Sequence, residues 1–215
     1  IARTLGGSSS GPSTTSNPVG LDYDAANQRL FVADQYNNRV LVFSVGASIS
    51  SITDGMAAGL VLGQSDLSGK TNGSGAAGLF YPTDVAWDPT HGRLYVSDYL
   101  NSRVVVFTDP LSNGKAASFV IGRSDLTTAV GIASFARSVE PKRLALSPDG
   151  EYLFVSETNR IKRFLVGRNL ANGPAADLCP GQKNNSCEGY AVGSTTTSEI
   201  AGKLNMDQEG GMAVD

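Results

Sequence analysis

Residues 28–43, QRLFVADQYNNRVLVF, are rewritten at 92–107 as GRLYVSDYLNSRVVVF. The two stretches begin 64 positions apart, and a period of that size restricts a chain to architectures that stack copies of one supersecondary unit. Aligned on this pair, the rest of the chain falls into the same units. First strands stack as NPVGLDYD (17–24), YPTDVAWD (81–88), EPKRLALS (140–147) and QEGGMAVD (208–215). Second strands stack as RLFVAD (29–34), RLYVSD (93–98) and YLFVSE (152–157), and third strands as RVLVF (39–43), RVVVF (103–107) and RIKRF (160–164). A fourth strand is legible in LVLGQSDL (60–67) and FVIGRSDL (119–126), with a weaker echo in ADLCPGQ (176–182). Pro18, Pro82 and Pro141 hold the register, and the units are 64, 59 and 68 residues long.

Each unit carries four short runs rich in β-branched and aromatic residues, and none has helical periodicity. Between first and second strands stand YDAANQ, WDPTHG and SPDG, whose Asp, Pro, Asn and Gly supply fixed or positive φ and side-chain caps. The third strands are apolar at consecutive positions (Val40 to Phe43, Val104 to Phe107), which predicts sheets covered on both faces. Sheets covered by their own copies arise by radial stacking. The expected fold is therefore all-β, a β-propeller of four-stranded antiparallel blades within a single domain. Blades are placed near 17–67, 81–126 and 140–182, with the start of another at 208–215, about three and a half blades in all.

The pattern NPVGLDYD followed by LFVADQYNNRVLVF, with its Pro, its Asp closing strand two and its Asn-Arg opening strand three, resembles the NHL repeat. VLGQSDL, echoed as VIGRSDL, is similar to the segment between NHL blades in long secreted proteins. The resemblance is strong for units one and two and weaker for unit three, where SETNRIKRF is two residues shorter. It implies a propeller commonly of six blades, so further polypeptide or further copies of the chain are expected to complete the ring. Two precedents come with it: families similar to NHL propellers include lyases or lactonases that hold a metal in the central channel, and intracellular NHL domains read RNA with a basic face.

The formal net charge of −3 argues against nucleic-acid binding, as do residues 135–168, where seven Lys and Arg stand against four acidic residues. No apolar run approaches the ~20 residues of a membrane helix. The first residue is Ile1, with no apolar leader behind it, so the chain reads as mature, trimmed or partial.

The acidic residue closing strand two recurs as Asp34, Asp98 and Glu157, and an arginine follows each time, Arg39, Arg103 and Arg160. A turn held by carboxylate bonds to backbone and arginine explains both residue types without catalysis. Asn37, Asn101 and Asn159 belong to the same turns. The single histidine, His91, stands at a hairpin tip with no orienting partner visible in the sequence and reads as a turn residue. Axial positions would fall near Asp22, Asp84 and Arg143, which repeat no ligand type. Lys162 and Arg163 replace the apolar pairs Leu41–Val42 and Val105–Val106, so both faces of that strand lose an apolar contact and the long stems are expected to lie over a partner or neighbouring subunit. Cys179 and Cys187 flank a loop of seven residues and are expected to form a disulfide, which favours an exported protein.

The expected function is recognition, by an extracellular or cell-surface scaffold whose inter-blade loops bind protein or glycan, in a larger assembly or by self-association. The competing reading is a metal-dependent propeller lyase or lactonase. No cofactor is expected, although the carboxylates leave room for a structural calcium ion.

Overall fold

The computed structural model describes residues 11, 14–48, 51–127, 141–158 and 160–180. The first sheet comprises β1 (Pro18–Asp24), β2 (Arg29–Asp34), β3 (Arg39–Ser44) and β4 (Leu60–Leu62) in that spatial order. The second repeats it with β5 (Pro82–Asp88), β6 (Arg93–Asp98), β7 (Arg103–Thr108) and β8 (Phe119–Ile121). The third holds β9 (Arg143–Leu146), β10 (Tyr152–Ser156) and β11 (Ile161–Leu165). All pairings within the sheets are antiparallel, and the register repeats: Asp34 faces Arg39 as Asp98 faces Arg103.

Local chemistry fixes the hairpins. The Asp24 carboxylate accepts the Ala26 and Asn27 backbone N–H groups at 3.1 and 3.2 Å, and Asp88 does the same for Thr90 and His91 at 2.9 and 3.2 Å. Such Asx turns substitute for backbone turns. In the third hairpin Ser147 and Asp149 take over, with Ser147 Oγ accepting the Tyr152 N–H at 2.9 Å.

The sheets lie face to face with their innermost strands β1, β5 and β9 side by side. Phe31, Val40 and Val42 of the first sheet bury against Val85, Trp87, Leu94 and Val105 of the second. On the second sheet's other face, Tyr95, Val104 and Val106 meet Leu144, Leu153, Val155 and Phe164 of the third. Neither sheet could bury two apolar faces alone, and the neighbours supply the cover. The outward face of the first sheet is only partly covered, by Ile52, Met56 and Ala58. Leu21 and Tyr23 there are 68% and 44% exposed, whereas their counterparts Val85 and Trp87 are buried.

Two further devices link the blades. The Asn113 side chain accepts the Val61 N–H at 2.8 Å, and Asn172 accepts the Val120 N–H at 3.0 Å, so each blade reaches back to cap the outer strand of the one before. Along the axis, the Asp22 carboxylate accepts the Trp87 N–H at 2.6 Å and Asp84 accepts the Leu144 N–H at 2.8 Å.

The third sheet departs from expectation at its outer edge. In place of a fourth strand, a single bridge joins Arg163 to Leu178: the Arg163 N–H donates to the Leu178 carbonyl at 2.8 Å and the Asp177 N–H to the Arg163 carbonyl at 3.0 Å. ADLCPGQ lacks the β-branched run of LVLG and FVIG, and Pro180 removes a ladder donor immediately beyond. The first strand expected at 208–215 lies outside the described residues.

Candidate functional site

The ends of β2 and β6 and the starts of β3 and β7 share one rim of the propeller, and the acidic–arginine pairs anchor it. Arg39 Nε donates to Asp34 Oδ2 at 2.6 Å, and Arg103 Nε to Asp98 Oδ2 at 2.7 Å. The other carboxylate oxygens accept the Ser16 and Phe80 backbone N–H groups at 2.5 and 2.7 Å, while Asn37 and Asn101 donate to the arginine-bound oxygens at 3.0 and 2.8 Å. The remaining guanidinium hydrogens reach across to connecting segments. Arg39 donates to the carbonyls of Leu67, Gly11 and Thr14, and Arg103 to those of Leu126, Gly75 and Gly78. Both arginines are wholly buried. A charge survives burial only when its hydrogen-bonding capacity is filled, and the planar fork of arginine suits one carboxylate and several carbonyls at once. Burial nevertheless pushes the Asp98 carboxyl up, against the pull of Arg103.

Unit three varies the same device. Glu157 receives Arg160 Nε and lies 3.1 Å from Lys162 Nζ. Strand alternation turns Lys162 toward the second sheet with Phe164, so Lys162 is wholly buried and is not a surface for a partner, contrary to expectation. The longer Glu157 reaches a cation that occupies the place of Leu41, which keeps that face sandwiched. Arg163 faces the other way, half-buried over the Tyr152 ring at 4.5 Å and paired with Asp177 at 2.8 Å. His91 Nδ1 stands 2.8 Å from the Asp88 carboxylate in its hairpin. Cys179 is wholly buried; Cys187 and Asn159 lie outside the described residues.

Upon the anchored rim stands a group of aromatic side chains that the repeat pattern did not single out. Gln35–Asn37 and Tyr99–Asn101 form short 3₁₀ turns whose central residues, Tyr36 and Leu100, are 55% and 45% exposed. The rings of Tyr36 and Tyr81 lie 5.4 Å apart at 38°. Tyr81 holds φ at +59°, a conformation its counterpart Asn17 shares at +55°. Asparagine adopts this region readily, whereas a bulky residue there is strained by about 1–3 kcal/mol. The Asn38 side chain fixes the strained residue by accepting the Tyr81 N–H at 2.9 Å while donating to the Lys70 carbonyl at 3.0 Å. Hydrogen bonding with Tyr36 pushes the Tyr81 phenol above its ordinary range, and burial and the Tyr99 phenol add to that.

A second chemistry sits on the axis. Burial pushes the Asp84 carboxyl up to about 6, opposed by the Leu144 N–H and the Arg143 guanidinium. Arg143 donates to the Thr83 carbonyl at 2.9 Å and Thr83 Oγ1 to the Pro141 carbonyl at 3.1 Å. Such a carboxyl is able to exchange a proton near neutral pH. Among the described residues, no group of three or more His, Cys, Asp or Glu is placed to hold a metal ion.

Residues 15–43 match the NHL repeat. NHL repeat-containing protein 2 of Homo sapiens is 34% identical over 138 residues, which are 60% of this chain and 18% of that protein. The chain thus spans less than a fifth of that relative's length. Among solved structures, a 6-phosphogluconolactonase candidate from Bacteroides uniformis superposes with a TM-score of 0.50 at 21% identity, covering 80% of this chain and 45% of that one. Hydrazine synthase of Kuenenia stuttgartiensis superposes with a TM-score of 0.48 at 16% identity, covering 75% of this chain and 35% of that one. At such identities the likeness concerns the fold alone.

Proposed function

Because the chain is an NHL-repeat β-propeller protein, we propose that it is an extracellular recognition module whose binding surface is the rim built by the Asp–Arg anchors. The observation that carries this reading is the pairing of the exposed Tyr36 with the half-buried, strained and rigidly held Tyr81. Strained residues persist where a function retains them, and tyrosines offer broad amphipathic contact at low entropic cost. The arginine-clamped segments beneath supply the rigid frame that a binding site needs. The location outside the cell rests on a proposed disulfide between Cys179 and Cys187. Partners in this reading are protein or glycan.

A catalytic reading has one observation of its own, the near-neutral Asp84 carboxyl on the axis. The two readings separate in one experiment. The chain is applied to arrays of extracellular glycans and of protein ectodomains, and is assayed for hydrolysis of sugar-acid lactones. Recognition at the rim predicts ligands that Tyr36→Ala with Leu100→Ala abolishes and Asp22→Asn with Asp84→Asn retains. Lactone turnover abolished by the aspartate pair, with no ligand dependent on Tyr36, overturns it.

A further inference from the structure

We propose that Tyr36 and Tyr81 form a stacking subsite for an uncharged oligosaccharide. This rests on the recognition reading and names the ligand class for the same rim. Three features converge on that chemistry.

The first is geometry. Tyr36 and Tyr81 present tilted rings 5.4 Å apart, contributed by consecutive blades, so a ligand spanning them bridges two units of the repeat. Sugar rings carry C–H faces that pack on aromatic planes and peripheral hydroxyls that need donors and acceptors beside those planes. A phenol supplies the apolar face and a hydroxyl together.

The second is charge. Asp34 and Arg39 below Tyr36, and Asp98 and Arg103 below Tyr99, are all buried and spent on one another. The side chains around the tyrosines are amides: Asn17 donates to Gln35 at 2.5 Å, and Asn38 lies against the Tyr81 backbone. Lys70 and Asp66 are both exposed on the adjoining segment, which therefore carries no net charge. Single-stranded nucleic acid also stacks on aromatics, but it requires a cationic groove along its phosphates, and none accompanies these rings among the described residues. An anionic glycan would lack a counter-charge for the same reason.

The third is strain. Tyr81 occupies the left-handed position that Asn17 fills in the preceding blade, so asparagine would fit the backbone better there. The strained backbone sets the Tyr81 ring beside Tyr36, which keeps an aromatic face open at the rim.

The test is calorimetric titration of the chain with uncharged hexasaccharides: cello-, chito-, malto-, laminari- and mannohexaose. At least one is expected to bind, and both Tyr36→Ala and Tyr81→Asn are expected to weaken it tenfold or more. Tyr81→Asn is expected to melt no lower than the parent, which separates a lost subsite from a damaged fold. Leu165→Ser, at an exposed apolar residue on the opposite rim, should bind like the parent. Absence of binding by all five sugars at millimolar concentration, or affinity unchanged in Tyr36→Ala, overturns the proposal. If instead only ectodomain ligands depend on Tyr36 in the arrays, the recognition reading stands and the sugar subsite falls.

Discussion

Gly20 stands where two blades come close, and replacing it tests the radial arrangement directly. A Cβ at residue 20 would stand 2.4 Å from Asp84 Oδ1, 2.5 Å from Asp84 Cα and 2.9 Å from the Thr83 carbonyl oxygen. The carboxylate tip could rotate aside, but two of the three obstacles are backbone, so β1 and β5 must move apart. Its φ lies outside the positive range, so alanine brings no backbone strain and the whole effect is steric. Overpacking of this kind costs about 1–3 kcal/mol. Separating the strands also pulls Asp22 from the Trp87 N–H, at present 2.6 Å away. A hydrogen bond to a charged group contributes about 1.5–3 kcal/mol, so Gly20→Ala should destabilise by about 3–5 kcal/mol. With a urea slope of about 2 kcal/mol/M, the unfolding midpoint should fall by about 1.5–2.5 M. Gly59→Ala is the control, because its added Cβ meets nothing nearer than the Val42 carbonyl oxygen at 3.9 Å, and it should change stability by less than about 0.5 kcal/mol. A Gly20→Ala protein within about 1 kcal/mol of the parent would refute the close axial contact on which the blade stacking rests.

Asp84 sets a pH dependence with a definite sign. Its folded pKa of about 6 exceeds the ordinary 3.8, so the folded chain holds the proton more tightly. Stability should therefore fall by up to about 3 kcal/mol as pH rises from about 4 to about 6, and level off above. Comparing urea midpoints with Asp84→Asn should show that this part of the profile disappears, and an unchanged profile would contradict the placement of Asp84. Arg103→Lys retains the charge but cannot satisfy Asp98 and the carbonyls of Leu126, Gly75 and Gly78 together. It should cost about 3 kcal/mol by the same assay, and a loss below about 1 kcal/mol would show that charge alone sustains the rim.

The frame was legible because its causes are local and periodic. Pro18 and Pro82, the Asp–Asn–Arg turns and the apolar third strands each recur at fixed offsets, and each maps onto one structural job. The caps from Asn113 and Asn172 also recur, as Asn-Gly pairs before a positive-φ glycine (+66° and +64°), yet nothing local shows that they reach the previous blade. The rim tyrosines were missed for a different reason. Tyr36 matches Leu100, and Tyr81 matches Asn17, so alignment treats them as turn residues. Only the fold brings Tyr36 of one unit beside Tyr81 of the next. Lys162 was misjudged because a charge in a strand reads as exposed when its partner, Glu157, belongs to a different feature of the pattern.

These misses share a logic that bears on function. Where the repeat is broken, the explanation lies in a second residue that answers the change. Lys162 departs from Leu41 together with the change from Asp34 to Glu157, and the longer carboxylate reaches the buried ammonium. Asp84 departs from Gly20, and Gly20, lacking a Cβ, leaves the room that Asp84 fills while its carboxylate bonds the third blade. Both departures are compensated within the chain, so both belong to the fold. Tyr81 departs from Asn17 at a backbone position that penalises it, and its ring partner Tyr36 remains 55% exposed. Asn38, which stands where the next blade has Ser102, accepts the Tyr81 N–H, and the Tyr36 ring, in the place of Leu100, packs beside Tyr81, so the conformation at +59° is held from within the chain. What sets the rim apart is that this held pair leaves the Tyr36 ring open to solvent, an amphipathic face on a rigid frame, which is why the rim is favoured over the axis as the seat of function.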